Sequence, residues 1–286
     1  MNVDQRPLWR VLLCLLLAGL LAGCSARVFF YKRLDFLIPW WVNGYVDLDR
    51  DQNARLDALL DPFLRWHRTE ELPRYAALVN ETRRLAVAQR VPLPDLTRLA
   101  DDLEAAWYRL RDRALEALLV LGATLNEAQV AAFVATLRDR QAEYEEEYLS
   151  RSDAEYREQA LERLEDTLGD YLGRLDDAQV ARLQQAVDDL RRIDSGWLTV
   201  RARWIDRVER ALRREPGWRS RLRTAVHDWE ARAPRAYLDG VQHNSAVVLA
   251  AVSDVLSRRS ERQTRRLQRE LDALRRDLAK LLEQPG

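Results

Sequence analysis

The sequence contains three histidines, His67, His227 and His243. Glu70 and Glu71 follow His67 at i+3 and i+4, so a helix would place all three on one face, a spacing that suits metal chelation. The order is the reverse of the Glu-x-x-His of di-iron bundles, and no second copy accompanies it. The zinc-protease pattern His-Glu-x-x-His is absent. A zinc site would require His67, His227 and His243 to converge. The simpler expectation is that Trp66-His67 packs at a helix–helix contact. Asp194-Ser195-Gly196 lacks the leading glycine of a nucleophile elbow. Neither a Walker A loop nor a dinucleotide fingerprint occurs. Carboxylate pairs single out nothing in a chain that is 32% charged. These residues predict no enzyme, no metal and no cofactor.

The 46 basic and 46 acidic side chains cancel, which removes the simplest argument for nucleic-acid binding. Charge is nevertheless segregated. Residues 139–177 carry a net −9 (14 acidic, 5 basic), and residues 178–286 a net +8 (23 basic, 15 acidic). Within the basic half, Arg201, Arg207, Arg210, Arg214 and Arg221 are candidate anion-binding residues. They cannot all enter a core, because a buried unpaired charge is too costly. They either meet the acidic stretch inside the fold or form a face for anionic lipid, lipopolysaccharide phosphate or an acidic envelope protein.

Helices must position these groups. Ten Gly and nine Pro in 286 residues, 47% of them hydrophobic, argue for a sizeable core and against a β-sandwich or barrel. Leu56, Leu59, Leu60, Phe63 and Leu64 repeat at helical spacing, as do Leu161, Leu164, Leu168, Tyr171, Leu172 and Leu175. The pattern predicts helices over 50–71, 73–90, 95–122, 127–172, 177–193, 196–214, 217–231 and 241–283. That makes an all-α, elongated bundle of about eight helices. Pro62 and Pro73 should start, kink or end helices. Leu267, Leu271, Leu274, Leu278 and Leu281 form a short heptad seam, predicted to pack on the bundle rather than to dimerise.

A degenerate repeat marks three helix starts: Leu48-Asp49-Arg50-Asp51-Gln52, Leu125-Asn126-Glu127-Ala128-Gln129 and Leu175-Asp176-Asp177-Ala178-Gln179. Asp49, Asn126 and Asp176 would cap backbone N–H groups, and Gln52, Gln129 and Gln179 would reach back to the caps. Read as local caps, Gln129→Ala and Gln179→Ala should each cost at most about 1 kcal/mol. The repeat resembles the Leu-Thr-x-x-Gln motifs of small Spy/CpxP-type periplasmic chaperones, with Thr replaced by Asp or Asn. That resemblance implies a client- or stress-linked binding protein.

The N-terminus carries Arg6 and Arg10, then an apolar run from Val11 to Leu21. The run is too short for the roughly 30 Å hydrocarbon core and has the length of a signal-peptide h-region. Leu21-Ala22-Gly23-Cys24 follows and resembles the lipobox of bacterial lipoproteins. The resemblance implies cleavage between Gly23 and Cys24 and acylation of Cys24, with membrane lipid as the partner of the acylated N-terminus. Ser25 rather than Asp implies sorting to the outer membrane, facing the periplasm. Cys14 would leave with the signal peptide, so no free thiol or disulfide is expected in the mature chain. The expected division is signal peptide 1–23, lipidated tether 24–45 and a single helical domain 46–286. Phe36, Leu37, Trp40 and Trp41 in the tether would either lie at the membrane interface or dock on the bundle.

Tyr31-x-x-Leu34-Asp35-Phe36-Leu37-Ile38-Pro39-Trp40-Trp41-Val42, Tyr45-Val46-Asp47-Leu48 and Trp66-His67-Arg68-x-x-Glu71-Leu72-Pro73-x-Tyr75 together resemble a family of proteobacterial lipoproteins known as a domain of unknown function. This implies an all-helical envelope lipoprotein and supplies no catalytic residues. The expected role is structural or interactive within the envelope. The chaperone is the alternative, and a metal-dependent enzyme comes third.

Overall fold

A computed structural model describes residues 26–283. The expected signal peptide 1–23, Gly23 included, and the expected lipidation site Cys24 lie outside the described residues. In chain order the α-helices are α1 (Ala26–Tyr31), α2 (Leu34–Asn43), α3 (Arg50–Trp66), α4 (Leu72–Val87), α5 (Leu93–Gly122), α6 (Glu127–Leu149), α7 (Asp153–Leu172), α8 (Asp177–Asp188), α9 (Asp194–Leu212), α10 (Trp218–His227), α11 (Arg235–Ser257) and α12 (Glu261–Leu282). A π turn, His67–Glu71, fuses α3 and α4 into one rod, and a 3-10 turn, Glu230–Arg232, precedes α11. No strand occurs among the described residues.

Counting the fused rod once, the described residues form 11 helices rather than about eight. The expected helix 127–172 is broken at Ser150–Ser152, and 241–283 is broken after Ser257. Each restart is capped. Ser152 exchanges hydrogen bonds with Glu155, and Ser260 with Gln263, in the same capping-box geometry as Asp49/Gln52, Asn126/Gln129 and Asp176/Gln179. Pro73 stands at the second position of α4, as expected of a proline that starts a helix, but the chain runs into it from α3 without a loop. Pro73 has no N–H for the Thr69 carbonyl and its ring would crowd that carbonyl; the wide π turn just before it absorbs the mismatch.

The interior is divided among several apolar clusters. Leu164, Leu168 and Leu172 of α7, Leu183 and Val187 of α8, Val248 and Val255 of α11, and Leu267 and Leu271 of α12 make one. Leu115 and Leu119 of α5 meet Val208 and Leu212 of α9 and Trp218 of α10 in another. Val42 and Val46, with Leu56 of α3 and Leu121 and Leu125, form a third. The heptad leucines of α12 pack within the chain: Leu267 and Leu271 enter the first cluster, and Leu278 and Leu281 pack on Leu72 and Val79 of α4. Gly240 of α11 sits so close to α9 that an added Cβ would lie 2.5 Å from Ile193 Cγ2.

Residues 26–45, read as a tether, are held against the body. Arg27 of α1 pairs with Asp277 of α12 at 3.2 Å, both side chains being buried. Val28 and Tyr31 pack beside Leu72 and Leu278, and Ile38 and Val42 of α2 beside Leu56. No helix among the described residues is long and apolar enough to cross a membrane.

Candidate functional site

The repeated glutamines do more than cap their own helices. Gln52 Nε2 donates to Gln129 Oε1 (2.9 Å), and Gln129 Nε2 donates back to Gln52 Oε1 (2.6 Å). The second amide hydrogen of each goes to a carbonyl two residues before the partner's cap: Gln52 to Thr124 (2.9 Å), Gln129 to Asp47 (2.8 Å). Each Oε1 also accepts its own cap N–H. Gln179 and Gln263 repeat the arrangement at 3.1 and 2.8 Å, with Val255 and Arg174 carbonyls as the further acceptors. Two helix N-termini are thus clasped head to head in each half of the chain. Gln263 was missed in the sequence, although Ser260-x-x-Gln263 fits a capping box. The Gln179–Gln263 clasp is buried and the Gln52–Gln129 clasp half-buried, and the amides of both are saturated.

The π turn places His67 and Glu71 in the wall between α1, α4 and α5. Tyr31 Oη lies 2.9 Å from His67 Nδ1, and the Tyr31 and Tyr75 rings lie 5.6 and 5.5 Å from the imidazole. Burial pushes the imidazole pKa down to about 4, against an opposing pull from Glu71. The ring is therefore neutral at pH 7. With its proton on Nε2, it accepts the Tyr31 hydroxyl at Nδ1. Burial also pushes the Tyr75 phenol up to about 12, with Glu71 adding to the shift. Glu71 has no exposed side-chain surface. Burial alone would raise its pKa, but Arg109, bidentate at 2.8 and 2.9 Å, and Arg74 at 2.5 Å hold the carboxyl below the usual range. The result is a polar anchor that fixes α1 to α4 and α5. His227 meets Asp112 instead, at 3.1 Å, and His243 the Asp189 carbonyl, at 2.8 Å. The three histidines do not converge, and no group of three or more His, Cys, Asp or Glu able to hold a metal occurs among the described residues.

The five candidate arginines separate. Arg201 is buried, donates to Gln141 Oε1 (2.6 Å) and stacks on Tyr144 at 4.8 Å. Arg214 donates to the Leu125 carbonyl, and Arg221 to the Pro216 and Glu215 carbonyls at 2.8 and 3.1 Å. These three serve the fold and do not form an anion face. Arg207 and Arg210 come together, joined by Arg203 and Arg232, around a cavity of about 260 Å³. The i, i+4, i+7 spacing of Arg203, Arg207 and Arg210 was a readable signal for one helical face; Arg232 arrives through a turn and was not. The charge segregation is bridged by Arg192 to Asp153 at 3.0 Å, while Glu143, Glu145, Glu146 and Glu147 of α6 face solvent.

At the N-terminal end, Phe36, Trp40 and Trp41 of α2 are exposed and Leu37 is half-buried, while Ile38 and Val42 turn inward. Phe29 and Phe30 of α1 are exposed between the half-buried Val28 and Tyr31.

A family model described as a family of unknown function, DUF6279, matches residues 44–238. The chain belongs to the DUF6279 family. No curated protein and no solved structure matches it. The DUF6279 match includes the Gln52–Gln129 clasp, the π turn and all four arginines of the cavity. It ends before Gln263 and α12 and begins after α2. Tyr31–His67 therefore ties α1 onto the DUF6279 region, and Arg27–Asp277 joins the two flanking helices α1 and α12 to each other.

Proposed function

We propose that this DUF6279 member is a lipid-anchored protein of the outer membrane, facing the periplasm, and a structural or interaction protein of the envelope rather than an enzyme. The observation that carries the reading is the aromatic face of α1 and α2. Phe29, Phe30, Phe36, Trp40 and Trp41 are 56, 56, 65, 68 and 44% exposed. They follow Cys24 within 17 residues in sequence. Aromatic rings favour the headgroup level of a bilayer, and Lys32 and Arg33 in the exposed turn between the two helices suit anionic headgroups. The face is held rigidly by Tyr31–His67 and Arg27–Asp277, so acyl chains on Cys24 would seat the body against the membrane rather than hang it on a flexible leash. The pairing of His67 with Tyr31 and of Glu71 with Arg74 and Arg109 fits an anchor better than a reaction centre. The chaperone alternative drew on the Leu-[Asp/Asn]-x-x-Gln repeats, and their amides are engaged inside the fold.

Labelling cells with a palmitate analogue should mark the wild type and leave Cys24→Ala unmarked, and fractionation should recover the wild type in the outer membrane. Recovery mainly from the inner membrane would refute the sorting inference. In vesicles with brominated acyl chains, tryptophan emission of the lipidated chain should be quenched, and Trp40→Phe with Trp41→Phe should remove most of that quenching. Unchanged quenching in the double variant would sink the seated-face reading.

A further inference from the structure

The outer face of α9 carries Arg203, Arg207 and Arg210, and the 3-10 turn after α10 brings Arg232 to the same place. The cavity they line, about 260 Å³, also touches Asp206. It lies just below the roughly 300–1,000 Å³ of pockets for drug-sized ligands and has ample room for a small anion. The basic groups there are not neutralised from within. Asp206 turns to Arg138, which it meets at 3.1 Å and which Glu209 also binds. Among the described residues, neither hydrogen bonds nor ion pairs engage the guanidinium groups of Arg203, Arg207, Arg210 and Arg232. On Arg207 both Nε and Nη2 are buried with no partner.

Unpartnered buried donors are rare in native folds and call for an explanation. Like charges in one cavity add a second cost. Burial, then the neighbouring charges of Arg232, Arg210 and Arg203, depress the Arg207 pKa. Arg203, Arg210 and Arg232 are exposed to solvent, whereas Arg207 is half-buried and meets no carboxylate, unlike Arg138, Arg192 and Arg223. Planar guanidinium forks match phosphoryl oxygens in pairs, whereas a carboxylate ligand would satisfy fewer of them. Four cations against one carboxylate, itself already paired, favour a ligand with two or more negative charges.

We propose that Arg203, Arg207, Arg210 and Arg232 form a binding site for a multiply charged phosphoryl group, with Arg207 at its floor. The group belongs to a lipid headgroup or to a free phosphate ester. The site is independent of the membrane-seated face and stands or falls without it.

The full chain, purified in a non-ionic detergent at physiological ionic strength, should be titrated calorimetrically with inorganic phosphate, pyrophosphate, short-chain phosphatidic acid and, as a zwitterionic control, short-chain phosphatidylcholine. Saturable binding to at least one of the first three is expected, with none to the control. Pyrophosphate or phosphate binding without phosphatidic acid points to a free ester; tighter phosphatidic acid binding points to a headgroup. Arg207→Gln and Arg232→Gln, on separate elements, should each weaken binding by roughly tenfold or more. Arg265→Gln, a cation lining a different cavity, should leave it unchanged. Without ligand, Arg207→Gln should melt at or above the parent's temperature, because it removes a half-buried charge set among like charges. Three results would overturn the assignment. One is the absence of saturable binding to any phosphoryl probe. Another is affinity unaltered in both variants. The third is an Arg207→Gln chain that melts lower than the parent without ligand, since its guanidinium would then already serve the fold.

Discussion

His67 should make the stability of this protein depend on pH in a defined window. Its imidazole titrates at about 4 in the fold, against 6.5 when unperturbed, with burial as the main cause. The folded pKa is the lower one, so between those values the unfolded chain holds a proton that the folded chain refuses. Stability is then full above about pH 6.5, falls as pH drops, and levels off below about 4, where both states are protonated. At about 1.36 kcal/mol per pKa unit, the loss across the window is about 3 kcal/mol. His67→Phe keeps an aromatic ring against Tyr31 and Tyr75 but cannot titrate. Urea unfolding at a series of pH values should show the wild type losing stability from pH 6.5 to 4 and His67→Phe losing about 3 kcal/mol less over the same range. Glu71 works in a separate window: its carboxyl is depressed, so its contribution is lost only as pH falls below about 4.5. Parallel curves for the two proteins, or a His67 ring resonance titrating near 6.5, would refute the argument.

Two further outcomes follow from the architecture. Gln179→Ala removes a cap and strands the Gln263 amide and the Val255 carbonyl, so it should cost about 2–3 kcal/mol rather than the 1 kcal/mol of a local cap, and a double-mutant cycle with Gln263→Ala should show coupling of about 0.5–3 kcal/mol; additive losses in chemical denaturation would contradict the clasp. Gly240→Ala should lower stability by about 1–3 kcal/mol, because its methyl group meets Ile193 in the α9–α11 crossing; an unchanged melting temperature would mean that the crossing opens freely.

The all-helical class was legible because periodic leucines and capping sequences are local signals. Asp49/Gln52, Asn126/Gln129 and Asp176/Gln179 were read as caps and are caps. The helix count differs at Ser150–Ser152 and Ser257–Ser260, where charged, helix-compatible neighbours mask short breaks marked by Ser-x-x-Glu and Ser-x-x-Gln, and at residues 26–43, where α1 and α2 stand in a segment read as a tether. Pro73 reads as a helix start, kink or end and stands at the start of α4, but nothing in its neighbours' composition announces a π turn. The pairing of Gln52 with Gln129, of Tyr31 with His67 and of Arg232 with the α9 arginines joins residues 77, 36 and more than 20 positions apart. Such partners are chosen by the tertiary arrangement of helices, which a single sequence does not encode in any local spacing. Arg201, Arg214 and Arg221 illustrate the converse. Their type suggested an anion face, yet each side chain was claimed by a carbonyl, an amide or an aromatic ring nearby.

The two glutamine clasps are consecutive along the chain and do not interleave: 52 with 129, then 179 with 263. A polypeptide emerging N-terminus first can therefore close the first junction while the second half is still to come. The Arg27–Asp277 pair spans 250 positions and obeys a different schedule. It forms only after nearly all of the chain has emerged, when α12 lies down along α4 and α1. Tyr31 can meet His67 early, so α1 is pinned in two stages, and its second tie closes only when synthesis of the described body is nearly complete.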